Sequence, residues 1–234
     1  GRAGAAGPGG ALRLAIPRPA DHPLCQTAQA AGWTPVPFAV TRLVPSLAPP
    51  PFDLAEGTDA VIILSPSGAK AASPQLPAGM KVLAQGLGTA DALARKDLEL
   101  VLASAPRAEA LWEILQQRFP QGGRFVLVRG ERSREFLERV AKDTPWEIEP
   151  WITHREAPLL PLPDLPPVDA VLAMSPLQAQ VLAGMAQDRL RFAWGEATAQ
   201  AFGRAGQPVT GWCEPKVSAY HTMLSAPFQE ASRC

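Results

Sequence analysis

Hydroxyl-bearing residues recur in this chain at positions where they could bind an anionic group. Ser65 is followed by Pro66 and Ser67, and the Ser-Pro step returns at Ser175, an offset of 175 − 65 = 110 residues. Serine as the N-cap and proline in the first turn are typical of a helix start, where backbone amides lack partners. Hydroxyls and amides at such a start favour carboxylate or phosphate oxygen. These turns are therefore candidates for ligand binding.

Glycine, threonine and arginine recur in pairs at nearly the same offset. The pairs are Gly86 with Gly195, Thr89 with Thr198, and Arg18 with Arg129. Each residue alone has an ordinary structural explanation, because threonine caps helices, glycine makes turns and arginine is common at solvated strand ends. Repetition strengthens the case for a site, although a duplicated fold also duplicates its caps.

Each Ser-Pro step follows an apolar run that predicts a buried strand. Residues 59–64 and 169–174 are too uniformly apolar to have a solvated face, which is typical of a parallel sheet. Further strands are predicted at residues 12–16, 33–40, 81–86, 100–103, 125–130, 146–152, 191–195 and 209–212. Helices alternate with them and are predicted to begin near Leu24, Thr89, Pro106, Arg134, Thr198 and Pro215. The alternation predicts two α/β units with parallel sheets flanked by helices.

Two proline-rich stretches separate these units. Residues 41–54 and 153–168 contain four and five prolines, and proline favours an extended, stiff backbone. We predict that both are crossovers from one unit to the other.

Composition limits the classes of protein that fit. Hydrophobic residues make up 47% of the chain and charged residues 19%, which predicts a globular protein with substantial cores. Lys and Arg total 22 and Asp and Glu total 22, so the net charge of zero argues against a general nucleic-acid or membrane-surface role. Residues 1–10 lack a basic region followed by an apolar one, which predicts a flexible tail and not a signal peptide.

Familiar catalytic and metal-binding patterns are missing from the sequence. Cys25, Cys213 and Cys234 show no CxxC spacing, and we expect reduced thiols in a cytoplasmic protein. The three histidines are far apart and are expected at the surface, so no metal site is predicted. No nucleophile elbow or phosphate-binding loop is present. Any chemistry here depends on positioning more than on a strong acid, base or metal.

Taken together, the motifs resemble uroporphyrinogen-III synthase. The resemblance covers residues 12–224 and rests on the two apolar Ser-Pro turns, the two Gly-x-x-Thr-Ala turns, a late Pro-x-x-x-Ala helix start and the Val-Arg-Gly-Glu sequence around Arg129. It implies two similar α/β domains joined by a two-stranded connector, with the active site in the cleft between them. By this plan residues 11–40 plus 155–234 form the first domain, which is discontinuous, and residues 43–150 form the second.

The resemblance also implies the reaction. Members of the family cyclise the linear tetrapyrrole hydroxymethylbilane, which carries eight carboxylates, with loss of water and inversion of ring D through a spiro intermediate. No cofactor is implied, and we expect a cytoplasmic monomer of porphyrin and heme biosynthesis. The residues implied to bind the substrate are Arg18, Ser65, Ser67, Gly86, Thr89, Arg129, Ser175, Gly195 and Thr198.

The implied catalytic position is Trp151. Many members of the family have a tyrosine there, which is proposed to assist departure of the hydroxyl group. An indole offers one N–H donor and cannot give up a proton as a phenol can. The alternatives are that Tyr220 or an ordered water supplies the role, that the role is dispensable, or that the chain is inactive.

A second function remains open on the sequence. A two-lobed binding or sensing protein for a small polycarboxylate would need the same turns but would perform no reaction. Binding without turnover would distinguish it from the enzyme.

Overall fold

The computed structural model describes residues 10–103, 107–132 and 135–232, and these form two compact units. The first unit combines the described residues of Gly1–Arg42 and Ala157–Cys234, and the second is Leu43–Glu156. Each unit contains one sheet of mostly parallel strands with helices on both faces, as the sequence predicts.

The first unit has a five-stranded sheet with the order β2-β1-β9-β10-β11, in which every neighbouring pair is parallel. The strands are β1 (Arg13–Ile16), β2 (Thr34–Pro37), β9 (Ala170–Ala173), β10 (Leu190–Trp194) and β11 (Gly211–Cys213). Strand β2 lies at an edge, where its two prolines interrupt the fewest hydrogen bonds.

The second unit has a six-stranded sheet with the order β3-β8-β7-β4-β5-β6. The strands are β3 (Thr41–Pro45), β4 (Ala60–Ile63), β5 (Lys81–Gln85), β6 (Glu99–Ala103), β7 (Gly123–Gly130) and β8 (Trp146–Pro158). From β8 to β6 all neighbours are parallel. Strands β3 and β8 are neighbours in the sheet, and each runs across a boundary between the units, so they form the predicted two-stranded connector.

Helices cover both faces of each sheet. In the first unit they are α1 (Pro23–Ala30), α6 (Pro176–Met185), α7 (Glu196–Arg204) and α8 (Val217–Ala231). In the second they are α2 (Pro66–Ala72), α3 (Leu87–Leu93), α4 (Ala108–Arg118) and α5 (Phe136–Ala141), with a short 3₁₀ turn at Ser73–Gln75.

Alternation along the central strands fills a core on each face. In β4, Ala60 and Ile62 pack under α4 and α5, while Val61 and Ile63 pack under α2. All four are completely buried, which explains why this stretch has no polar alternation. Strand β9 is built in the same way, with all four of its residues buried.

The two sheets have the same plan, but the sequence repeat and the structural units are out of phase. Strands β1 and β2 of the first repeat join the sheet that contains β9, β10 and β11 of the second repeat. Strands β7 and β8 of the second repeat join β4, β5 and β6 of the first. Each unit therefore combines the opening of one repeat with the remainder of the other.

An aspartate aligns the two strands that come from different repeats. The Asp59 carboxylate accepts the backbone N–H of Arg124 at 2.8 Å, and Asp169 accepts that of Arg13 at 2.8 Å. The backbone N–H of each aspartate donates back to the carbonyl of the same arginine. These paired bonds explain why aspartate begins both copies of the apolar strand.

Several predicted boundaries are wrong. The predicted crossovers at 41–54 and 153–168 contain strand β3 and the last residues of β8, because pairing to each other satisfies their backbone groups despite the prolines. Thr89 and Thr198 do not begin helices: the N-caps are Gly86 and Gly195, whose φ of 84° and 90° turn the chain directly out of the strand.

The remaining boundaries differ by a few residues. The last helix begins at Val217 and not at Pro215. Helix α5 begins at Phe136, and its predicted start Arg134 lies outside the described residues, as do Pro106 and Cys234. Cys25 and Cys213 are buried free thiols. No helix within the described ranges is long and apolar enough to cross a membrane.

The hydrogen bond of Asp169 predicts that alanine and asparagine at this position lower the stability by different amounts. Asp169→Ala removes the acceptor for the Arg13 amide and should lower the free energy of unfolding by about 1 kcal/mol. Asp169→Asn keeps an oxygen acceptor and should lose less. Urea unfolding of both variants checks this, and an equal loss in the two would contradict the role given to the acceptor.

Candidate functional site

Both sheets have one point at which the chain connections reverse direction. In the first unit β1 leads outward through α1 to β2, while β9 leads the other way through α6 to β10. In the second unit β7 and β4 diverge in the same manner, through α5 and α2. Ligands of open α/β sheets bind beyond the carboxyl ends of the two strands that flank such a point.

The predicted serines and arginines lie after these diverging strands. Ser175 follows β9 and Arg18 follows β1 in the first unit, while Ser65 follows β4 and Arg129 ends β7 in the second. Each switch point thus has one serine turn and one arginine beside it.

Ser65 and Ser175 cap their helices with the same geometry. Their backbones are extended, with φ of −145° and −146°, and each Oγ accepts the amide three residues on at 3.1 Å. A hydroxyl that accepts an amide still has its own proton to donate. The Ser65 turn can therefore offer a hydroxyl proton to a carboxylate beyond the strand.

The glycine turns lie beside the next strand of each sheet. Gly86 and Gly195 follow β5 and β10, and their positive φ favours glycine. Thr89 and Thr198 lie one turn into the following helices and are 2% and 3% exposed. In the second unit a Cβ built on Gly88 would lie 3.7 Å from Pro66, so the glycine turn lies next to the serine turn.

The two arginines are engaged with their own units. Arg129 is 7% exposed, and its Nε donates to Glu138 at 2.8 Å while Nη1 donates to the carbonyls of Gly130 and Glu131. This arrangement ties the loop after β7 to α5. The Arg18 Nη1 donates to the Pro17 carbonyl at 2.7 Å.

Trp151 and Tyr220 both use their polar atoms inside the protein. Trp151 is 1% exposed, and its indole Nε1 donates to the Ala48 carbonyl at 3.0 Å. Tyr220 is completely buried in the first unit, where its hydroxyl donates to the Leu24 carbonyl. Burial also raises the pKa of Tyr220 well above its usual range. Tyr220 is therefore not placed to donate to a ligand.

A groove in the second unit brings two of the predicted residues together. Ser67 of α2 and Trp151 of β8 both line it, and its volume is about 580 Å³. Sequence reasoning missed two further lining residues, Lys70 and His154. His154 was expected at the surface, yet it is half-buried against Gly130, and burial lowers the pKa of its imidazole. No clear signal for His154 is present in the sequence, because strand β8 also carries Glu147, Glu149, Arg155 and Glu156.

Metal ligation is not supported within the described ranges, where no group of three or more His, Cys, Asp or Glu side chains could hold an ion. The geometry offers hydroxyls, backbone amides, a lysine and an imidazole.

Fold and site together define a two-unit α/β protein with paired turns suited to anionic oxygen. Residues 23–216 match the family model described as uroporphyrinogen-III synthase HemD, and the chain belongs to this family. The resemblance inferred from the motifs is therefore confirmed. No curated protein sequence matches the chain significantly.

Solved structures share the fold at low sequence identity. A uroporphyrinogen-III synthetase from Helicobacter pylori is 11% identical with a TM-score of 0.61, covering 94% of this chain and 99% of that one. A mutant uroporphyrinogen III synthase from Thermus thermophilus is 19% identical with a TM-score of 0.53, covering 95% and 99%. The predicted fold class is thus confirmed.

The half-buried imidazole of His154 predicts a pH dependence of stability. Burial lowers the pKa of folded His154 below the ordinary value of 6.5, so the stability due to its neutral form is complete above pH 6.5 and is lost as the pH falls toward the folded pKa. The melting temperature of the His154→Gln variant should therefore fall less than that of the unmodified protein as the pH is lowered from about 7.5 to about 5. The pKa of His22 is also lowered, but His22 is present in both proteins and affects them equally. The same change of melting temperature with pH in both proteins would therefore contradict the prediction.

Proposed function

We propose that this chain is a lyase that cyclises hydroxymethylbilane to uroporphyrinogen III, with loss of water and inversion of ring D. The observation that supports this most directly is the pair of matching turn sets, one after the diverging strands of each sheet, in a chain of this family. A substrate with eight carboxylates needs many such contacts, and one turn set alone would not provide them.

Catalysis by this chain is a matter of orientation. Bilane left alone closes without inverting ring D, so the protein must hold the rings in the geometry in which one attack is favoured. Hydroxyls and amides at helix starts can fix carboxylates without supplying a strong acid or base. The proposed contacts are the positions Arg18, Ser65, Ser67, Gly86, Thr89, Arg129, Ser175, Gly195 and Thr198.

These positions differ in the contact they can make. Gly86 and Gly195 have no side chain, so any contact they make would come from backbone groups of the turn that their positive φ allows. Arg129 has its guanidinium bonded to Glu138 and to two carbonyls, so its contribution would be to shape the loop after β7.

The role proposed for Trp151 is to position its neighbours. Its one N–H is bonded to Ala48, which lies in the proline-rich segment after β3. That bond fixes the segment against β8, and Leu47, the residue before Ala48, lines the groove. Trp151 would then affect substrate binding without transferring a proton.

Further parts of the proposal concern the protein in the cell. We expect a cytoplasmic monomer that needs no cofactor and binds neither nucleic acid nor membranes. Residues 11–40 plus 155–234 and residues 43–150 would act as its two substrate-binding domains.

The activity is tested by the isomer of the product. Hydroxymethylbilane is generated in the presence of the protein, the products are oxidised, and the type I and type III porphyrins are separated by chromatography. We expect predominantly type III. Type I alone, at the rate seen without protein, would refute the proposal and favour a binding protein.

The role of Trp151 has a matched control on the same strand. Trp146 also donates its indole N–H to a backbone carbonyl, that of Phe119, at 2.9 Å. Trp151→Phe and Trp146→Phe should each lose about 1 kcal/mol of stability, since each gives up one hydrogen bond. Only Trp151→Phe should raise KM, by about fivefold, with kcat little changed. A fall in kcat of about 100-fold would instead indicate direct proton transfer.

A further inference from the structure

The groove of the second unit, formed by β3, α2 and β8, is called the β3–α2 groove below. Its volume of about 580 Å³ lies within the range of small-molecule sites. Its lining combines mostly apolar residues of β3 and the segment that follows with several polar side chains of α2 and β8. A largely apolar lining with a few polar groups is the usual composition of a ligand pocket.

The polar residues of the groove favour a negative charge. Lys70 and Ser67 are three residues apart on α2, so they lie on the same face of the helix. None of the described residues that line the groove is acidic. Among the described residues, no carboxylate forms an ion pair with Lys70. The lysine ammonium is thus available to an anion from solution.

His154 faces the groove from β8. Its Nδ1 lies 3.0 Å from the Thr153 hydroxyl, and its ring packs on Gly130, where a Cβ would lie 2.9 Å from Nε2. These two contacts hold the ring in place. A fixed imidazole in the same groove as a lysine can help to orient an anionic group that the lysine attracts.

Two leucines that line the groove are exposed to solvent. Leu47 is 97% exposed and Leu43 is 51% exposed. Each of these exposed aliphatic side chains would gain about 1 to 2 kcal/mol by being covered by a ligand. Together with Lys70, they suit a ligand that has a flat apolar body and a carboxylate.

The duplication of the fold does not explain these groove residues. The first unit repeats the serine cap, but the position that matches Ser67 is Leu177 and the one that matches Lys70 is Gln180. Residues needed only to build the fold would be expected in both copies, as the capping serines are. The lysine and the second serine therefore belong to a feature of the second unit alone.

We infer that the β3–α2 groove holds one carboxylate-bearing pyrrole ring of the substrate, with Lys70, Ser67 and His154 at the carboxylate and Leu43 and Leu47 against the ring. This inference rests on the proposed function, because the substrate class comes from it. The groove makes the two units unequal, so that one ring of a nearly repetitive chain is distinguished from the others.

The kinetic test uses Lys70→Met, with Lys96→Met as the matched control. Lys96 is an exposed lysine of the same unit that does not line the groove. With hydroxymethylbilane as substrate, Lys70→Met should raise KM about tenfold with kcat nearly unchanged, since a charge-assisted contact is lost. Lys96→Met should leave both unchanged, and melting temperatures should agree among all three proteins.

A binding test is independent of turnover. A single pyrrole with one acetate and one propionate arm is titrated into the protein while the NMR spectrum of the protein is recorded. The signals of His154 should shift, and Lys70→Met should weaken binding about fivefold to tenfold, as should Leu47→Ser to a smaller degree. Lys96→Met should bind as the unmodified protein does.

The outcomes separate the groove from the proposed function. Type III product together with equal KM and equal pyrrole affinity in the Lys70 and Lys96 variants would overturn the groove assignment and leave the function standing. Absence of type III product together with Lys70-dependent pyrrole binding would overturn the function and support the groove as a pyrrole carboxylate site. Type III product together with a higher KM and a lower pyrrole affinity in Lys70→Met, but not in Lys96→Met, supports both.

Discussion

The hydrogen bonds of Asp59 and Asp169 set the arrangement on which the rest of the molecule depends. Each carboxylate binds the amide of an arginine at the start of a strand from the opposite repeat, across 65 residues for Asp59 and 156 for Asp169. Because adjacent strands are rigidly paired, fixing the register at one end also fixes it at the other. The other end is where the serine turn and the arginine lie, so these bonds align the candidate site.

This alignment explains how a duplicated sequence produces two similar sites from different connections. One unit pairs β9 with β1 and the other pairs β4 with β7, yet both place a Ser-Pro helix start beside a strand that has an arginine at or just after its end. The caps agree within a few degrees of φ, and the glycine turns do as well. A substrate with many similar carboxylates is suited to a protein that presents similar binding turns in each of its units.

Similarity alone could not orient such a substrate, because equal sites would accept its rings in more than one order. The second unit departs from the repeat at Ser67 and Lys70, and these residues line one groove together with Trp151 and His154. The second unit is not distinguished by strong catalytic groups. The groove combines a lysine that pairs with no carboxylate of the described residues, one fixed imidazole and two exposed leucines, and by our inference these select where a charged ring lies.

The sequence by itself determined the family, the α/β class, the central strands and the serine turns, because these depend on local apolar runs and capping chemistry. It located the helix starts after β5 and β10 at threonines, since it could not show that a positive φ at Gly86 and Gly195 begins the helix earlier. Only the tertiary structure brought Lys70 and His154 to one groove and used the Trp151 N–H for Ala48. Such contacts join residues distant in the chain, and no local pattern encodes them.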